Sequence, residues 1–255
     1  MGKVATRFFV ILMPWGRVGS NLVTASLETF SEVRIDNEPT TRLKTFARHT
    51  GLPSAAIAEQ QFEHLSAFHK AHCEAGGAAG LKLSYRSLIE PLEYTQRLVT
   101  LGFRPIIMLR DNFLQCAVSQ MRAVVRAEAT ERGQTLWRSP WAVAMDEPKP
   151  GPTRIDPGEA IRLTREFEKQ HWALLQTVGA CFGQDTMQIE YSELAYDPGA
   201  TIRKILLSLG LFAPSGVCVP QKKATSDTLS DDITNYAEFA DAVHAAGLSH
   251  FLEDV

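Results

Sequence analysis

Apolar residues fall along this chain in short continuous runs separated by stretches of helical spacing. The first run, residues 8–13 (FFVILM), is too short to cross a membrane and predicts a strand buried on both faces. Pro14 ends it, Gly16 and Gly19 bracket a turn, and Ser20 and Asn21 open a helical pattern carried by Leu22, Ala25, Ser26 and Thr29. A weaker strand is predicted at 33–36, followed by a turn at Asn37-Glu38-Pro39. Residues 54–73 read as a helix with Ile57, Phe62, Leu65 and Phe68 inward, then Gly76-Gly77, a short strand at 81–84 and a helix at 95–101. Residues 104–109 (RPIIML) repeat the pattern of a buried parallel strand. Beyond Arg110-Asp111-Asn112, Leu114, Val118, Met121 and Val125 predict the core face of a helix, with Gln115, Ser119, Arg122 and Arg126 on the neighbouring stripe.

Farther on, Asp156-Pro157-Gly158-Glu159 has the signature of a capped helix start, and Leu163, Phe167, Leu174 and Val178 mark its buried side. A strand at 187–191 and a helix after Asp197-Pro198, with Ile202, Ile205, Leu206 and Leu209 inward, follow; a final helix lies beyond residues 233–236. Strands alternating with helices predict an α/β chain, a three-layer P-loop-like fold with a central parallel sheet covered on both faces.

The 255 residues suffice for one α/β domain spanning 1–255, with the proline-rich segment at about 139–158 as a loop or lid upon it. A net charge of −3 provides no basic field for nucleic acid, so an anionic ligand must be held by local arginines. The four cysteines form no CxxC pair, which suggests reduced thiols in a cytoplasmic compartment and argues against a zinc ribbon. The first apolar run leads into a glycine turn rather than a cleavage site, so neither a signal peptide nor stable membrane insertion is expected. The oligomeric state stays open, a homo-oligomer included.

Strand, glycine turn and helix start at Gly16, Arg17, Val18, Gly19, Ser20 and Asn21 place free N–H groups and a positive helix end at one point, with the Arg17 guanidinium beside them. That makes a phosphate cradle, the alternative being a turn whose glycines serve packing. It is not a Walker A loop, because Arg17 precedes Gly19 and no lysine follows; ordinary ATP hydrolysis is thereby disfavoured.

With these pieces placed, the chain resembles the sulfotransferases that use 3′-phosphoadenosine 5′-phosphosulfate (PAPS), and more narrowly the bacterial carbohydrate enzymes of the trehalose and nodulation-factor type. Three segments carry the resemblance, in family order: GRVGSNL at 16–22, the strand ending in Arg110 with the helix through Ser119, and IEYSELAYDPGATIRKILLSLGL at 189–211. The resemblance implies that the 16–21 amides and Arg17 hold the 5′-phosphosulfate, and that Arg110 and Ser119 hold the 3′-phosphate. Lys222 and Lys223 would close over the cofactor, as basic residues do in related loops, or else belong to a solvated loop. In the cytosolic branch the position of Arg17 is usually lysine and that of Leu22 tryptophan, which leaves the adenine partner unidentified here. The implied ligand is PAPS, with 3′,5′-bisphosphoadenosine as product and no metal.

Sulfuryl transfer also needs a base for the acceptor hydroxyl. Glu38 is the first choice, since the turn after a second strand lies at the carboxyl edge of the sheet, beside the cradle; Arg17 would stabilise the charge on the leaving oxygen. His64, His69 and His72 compete for the base role, and His69 with Cys73 has a metal-like spacing that a packed or solvated helix face explains as well. Arg122 and Arg126 are read as aids to the 3′-phosphate or an acidic acceptor, or as a solvated face pairing with Glu128. The acceptor is expected to be a small molecule or glycan. The rival readings are a small-molecule or nucleotide kinase and a non-catalytic nucleotide-binding protein.

Overall fold

The computed structural model describes residues 6–133, 137–183, 186–226 and 228–253. Its centre is a five-stranded, wholly parallel sheet in the order β2-β3-β1-β4-β6. The strands are β1 (Arg7–Met13), β2 (Val33–Asn37), β3 (Ala78–Ser84), β4 (Arg104–Leu109) and β6 (Met187–Glu190). The continuous apolar run of β1 is explained by its central position, with β3 on one side and β4 on the other.

Alternate residues of β1 feed two cores. Phe9, Ile11 and Met13 pack with α1 (Ser20–Leu27) and α8 (Pro198–Ser208) on one face. Phe8, Val10 and Leu12 pack with α3 (Ser54–His72), α4 (Pro91–Thr100) and α6 (Pro157–Phe182) on the other. The result is the predicted α/β architecture, a parallel sheet flanked by helices. A third core joins α5 (Phe113–Glu131) and α6 to α9 (Tyr236–Ala245) beyond the sheet. Asp156 caps α6 as expected, its Oδ1 accepting from the Glu159 N–H at 2.7 Å, and Asp197 caps α8 through the Ala200 N–H at 2.8 Å.

Several elements differ from expectation. α2 (Pro39–Thr50) follows Glu38 directly, and β3 begins three residues earlier than residue 81. Residues 187–191 divide into β6 and a short helix α7 (Tyr191–Tyr196). On α5 the buried stripe runs through Arg122 and Arg126, whereas Val125 is 47% exposed and Met121 half-buried.

Arg122 is 1% exposed because it pairs with the equally buried Asp232 and donates to the carbonyls of Pro150 and Gly151 at 3.1 and 2.9 Å. Arg126 Nε donates to the Pro140 carbonyl at 2.9 Å. The Arg122–Asp232 pair stands in place of the solvated face, the alternative reading of this stripe, and Glu128 pairs with Arg132. The proline-rich segment is thus fastened to α5, and its two-residue strand β5 (Val143–Ala144) pairs antiparallel with β7 (Gln221–Lys222). Among the described residues no helix is long and apolar enough to cross a membrane.

Candidate functional site

All five parallel strands point their carboxyl ends at one edge, where open α/β sheets place ligands. The loop from β1 to α1 lies at its middle. Gly19 takes φ +80°, which strains any larger residue, and a Cβ there would stand 2.5 Å from Leu194 Cδ2, so that side chain would have to shift. A Cβ on Gly16 would meet nothing within 4 Å. α1 begins with no side-chain cap, and its first intrahelical bond is Val23 N–H to the Gly19 carbonyl. The N–H groups ahead of Val23 are left to a ligand or to water.

Arg17 has φ +63°, in the left-handed region that L-residues seldom occupy. That backbone turn lets its side chain reach α5, where Nε donates to Ser119 Oγ at 2.9 Å. Its Nη1 donates to the Trp141 carbonyl at 3.1 Å. Arg110, six per cent exposed, donates from Nη1 to the Arg17 carbonyl at 3.3 Å and from Nη2 to Gln115, and its Cζ lies 4.0 Å from the centre of the Tyr191 ring. Removal from water and then the nearby Arg110 bring Arg17 down to about 10, so it remains charged at neutral pH. Burial pushes the Cys116 thiol up, against the pull of Arg110 and Arg17.

Glu38 takes φ +51° at the end of β2, and its N–H donates to the Lys82 carbonyl at 2.8 Å. The Lys82 ammonium, nearly out of solvent, reaches Glu38 Oε1 at 3.0 Å and Asn21 Oδ1 at 2.6 Å. Lys82 escaped sequence reasoning. It interrupts an apolar strand in the alternation L-K-L, a pattern that normally marks a solvent-facing position. Its side chain instead lies on the α1 face, held between β1 and β2.

Two clefts flank Arg17. One, of about 240 Å³, is lined by Arg17, Gly19, Arg110, Ser119, Lys222 and Lys223. The other, of about 340 Å³, is lined by Gly16, Arg17, Glu38, Lys44, Arg86 and Trp15 among others. Arg17, Ser20, Asn21 and Trp141 line both. Val18 is buried in the core rather than in either cleft lining. Lys222 belongs to β7, not to a loop, and its Nζ donates to the Met145 carbonyl at 3.0 Å.

None of the described histidines lines either cleft. His64 Nε2 is 2.9 Å from Asp36, while the His69 ring lies tilted against Phe8 with centroids 4.4 Å apart. Among the described residues no group of three or more His, Cys, Asp or Glu is placed to hold a metal ion. Tyr191 opens α7 under Arg110 rather than ending a strand, and Glu193 pairs with Lys204 at 2.8 Å.

No protein-family model and no curated protein sequence matches the chain. Its backbone is similar to that of a sulfotransferase from Alicyclobacillus acidocaldarius, with 17% identity, 96% of each chain covered and a TM-score of 0.49. It is also similar to the sulfotransferase domain of the curacin biosynthetic pathway, with 12% identity, 82% of this chain and 76% of that one covered, and a TM-score of 0.45. A third likeness is to the sulfotransferase domain of the Synechococcus PCC 7002 olefin synthase, with 14% identity, coverage of 82% and 74%, and a TM-score of 0.44.

Proposed function

We propose that this chain is a sulfotransferase that moves the sulfuryl group of PAPS to a hydroxyl of a small molecule or carbohydrate. One observation carries the reading: Arg17 and Arg110, far apart in sequence, line a single cleft together with Ser119 and an uncapped helix start. No carboxylate lies within ion-pair distance of either guanidinium among the described residues. The charge of Arg110 acts unfavourably on Arg17, and a doubly phosphorylated ligand would relieve that.

In this reading Arg17 and the N–H groups of 16–21 hold the 5′-phosphosulfate. Arg110 and Ser119 hold the 3′-phosphate, with Lys222 and Lys223 completing the β7 side. PAPS supplies the sulfuryl group already bonded to a good leaving phosphate. The acceptor enters from the Glu38 cleft. Lys82 anchors Glu38 Oε1, and Oε2 has no hydrogen-bond partner among the described residues, so it is available to take the hydroxyl proton. As the acceptor oxygen bonds to sulfur and the sulfur–phosphate oxygen bond breaks, Arg17 and the loop N–H groups meet the charge left on that oxygen.

The test is incubation with radiolabelled PAPS and a panel of sugars and alcohols in the presence of a chelator. The reading expects label on an acceptor hydroxyl, undiminished by the chelator, and turnover lowered about 10²-fold or more by Glu38→Gln with donor binding retained. Transfer from ATP with Mg²⁺ but none from PAPS would replace it with the kinase reading. Binding of 3′,5′-bisphosphoadenosine without transfer to any acceptor would favour a non-catalytic nucleotide-binding protein.

A further inference from the structure

The cleft on the Glu38 side holds more positive charge than a neutral acceptor needs. Lys44 and Arg48 lie one turn apart on α2, Arg86 stands in the turn after β3, and all three line the cleft with Arg17. Lys44 Nζ donates to the Arg86 carbonyl at 2.8 Å, and the Arg86 guanidinium carbon sits 3.6 Å from the Trp15 ring centre. Elsewhere arginines are answered by acids: Arg42 by Asp36, Arg97 by Glu93, Arg154 by Glu238. Among the described residues no carboxylate lies within 4 Å of Lys44, Arg48 or Arg86.

The charge of Arg48 bears on both of its neighbours in the cleft. Burial and then Arg48 and Arg86 hold Lys44 below its ordinary value, while burial does most to lower Arg86, with Glu166 opposing and Arg48 adding to the shift. Glu38 is the one acid among the described lining residues, and Lys82 already engages it. A cleft lined by three cations with no carboxylate at ion-pair distance among the described residues is complementary to an anion.

We infer that the acceptor is itself an anion: a hydroxyl compound bearing a carboxylate or a phosphate monoester, whose acid group Lys44, Arg48 and Arg86 hold while its hydroxyl meets Glu38. The fate of the hydroxyl rests on the sulfotransferase reading; capture of the acid group does not.

Tryptophan fluorescence of the whole protein tests it, with glucose 6-phosphate, glucuronate and glucose as titrants. Saturable quenching by one or both anions and none by glucose is expected. Lys44→Ala/Arg48→Ala should weaken the responding anion at least about tenfold while retaining 3′,5′-bisphosphoadenosine binding; Arg110→Ala should do the reverse. Arg48→Lys should recover part of the loss. Equal response to glucose, no saturable response to either anion, or an unchanged double variant overturns the inference. Anion binding that follows this pattern, with no sulfuryl transfer from PAPS to these anions or to any acceptor of the panel, upholds the cleft assignment and removes the sulfotransferase reading instead.

Discussion

Arg17 and Glu38 are the two non-glycine residues with positive φ among those described, at 63° and 51°. Such backbone costs about 1–3 kcal/mol and persists where the surroundings impose it. At Arg17 the cost positions a guanidinium, and truncation separates the two effects. Arg17→Gly is expected to be more stable than Arg17→Ala by about 1 kcal/mol in chemical denaturation, because only alanine keeps the strain. Both variants should lose about tenfold or more in affinity for 3′,5′-bisphosphoadenosine. Equal stabilities would show that the loop does not impose this φ. Arg17, Arg110 and Ser119 were legible because local motifs place them: a glycine turn after one strand, and the end of another strand with the helix that follows. Lys82 was not, since its partners Asn21 and Glu38 lie 61 and 44 residues upstream and no local pattern announces them.

At the scale of elements, α5 is the seam that ties the proline-rich segment to the sheet. The buried Arg122–Asp232 pair and the Pro150 and Gly151 carbonyls make that tie. Arg122→Met should cost about 3–5 kcal/mol, since it strands Asp232 as an unpaired buried charge, and adding Asp232→Leu should return much of the loss. A double variant no better than the single would refute the pairing argument. The same seam has a pH signature. His171 on α6 is buried against Phe113, and desolvation lowers its value from 6.5. The unfolded chain therefore takes the proton first, so this residue's contribution to stability falls as pH drops through about 6.5 and levels off below the folded value. Thermal unfolding followed from about pH 8 to pH 5 should show this decline, and His171→Phe should flatten it. Apolar periodicity predicted the existence of α5 but chose Val125 over Arg122 for its inner face, because a paired buried arginine is indistinguishable from a solvated one in sequence. α2 was missed for a related reason. Within PTTRLKTFARHT it buries only Pro39, Thr40 and Ala47, and so carries no apolar stripe.

For the whole molecule, the strand order sets β1 at the centre of the sheet and Arg17 at the wall shared by two clefts. In the proposed function one side receives a doubly phosphorylated nucleotide and the other its acceptor, with charge developing at the guanidinium between them. The parallel sheet was readable because its adjacent inner strands β1 and β4, buried on both faces, are continuous apolar runs. Pairing of the proline-rich segment with β7 was not, since two-residue strands carry no period. Calorimetric titration in chelator with 3′,5′-bisphosphoadenosine and with adenosine 5′-monophosphate tests the shared grip most directly. Wild type should prefer the bisphosphate by about tenfold or more; Arg110→Ala should erase that preference, and Arg17→Ala should weaken both ligands. An Arg110→Ala protein that still discriminates as wild type does would contradict the account.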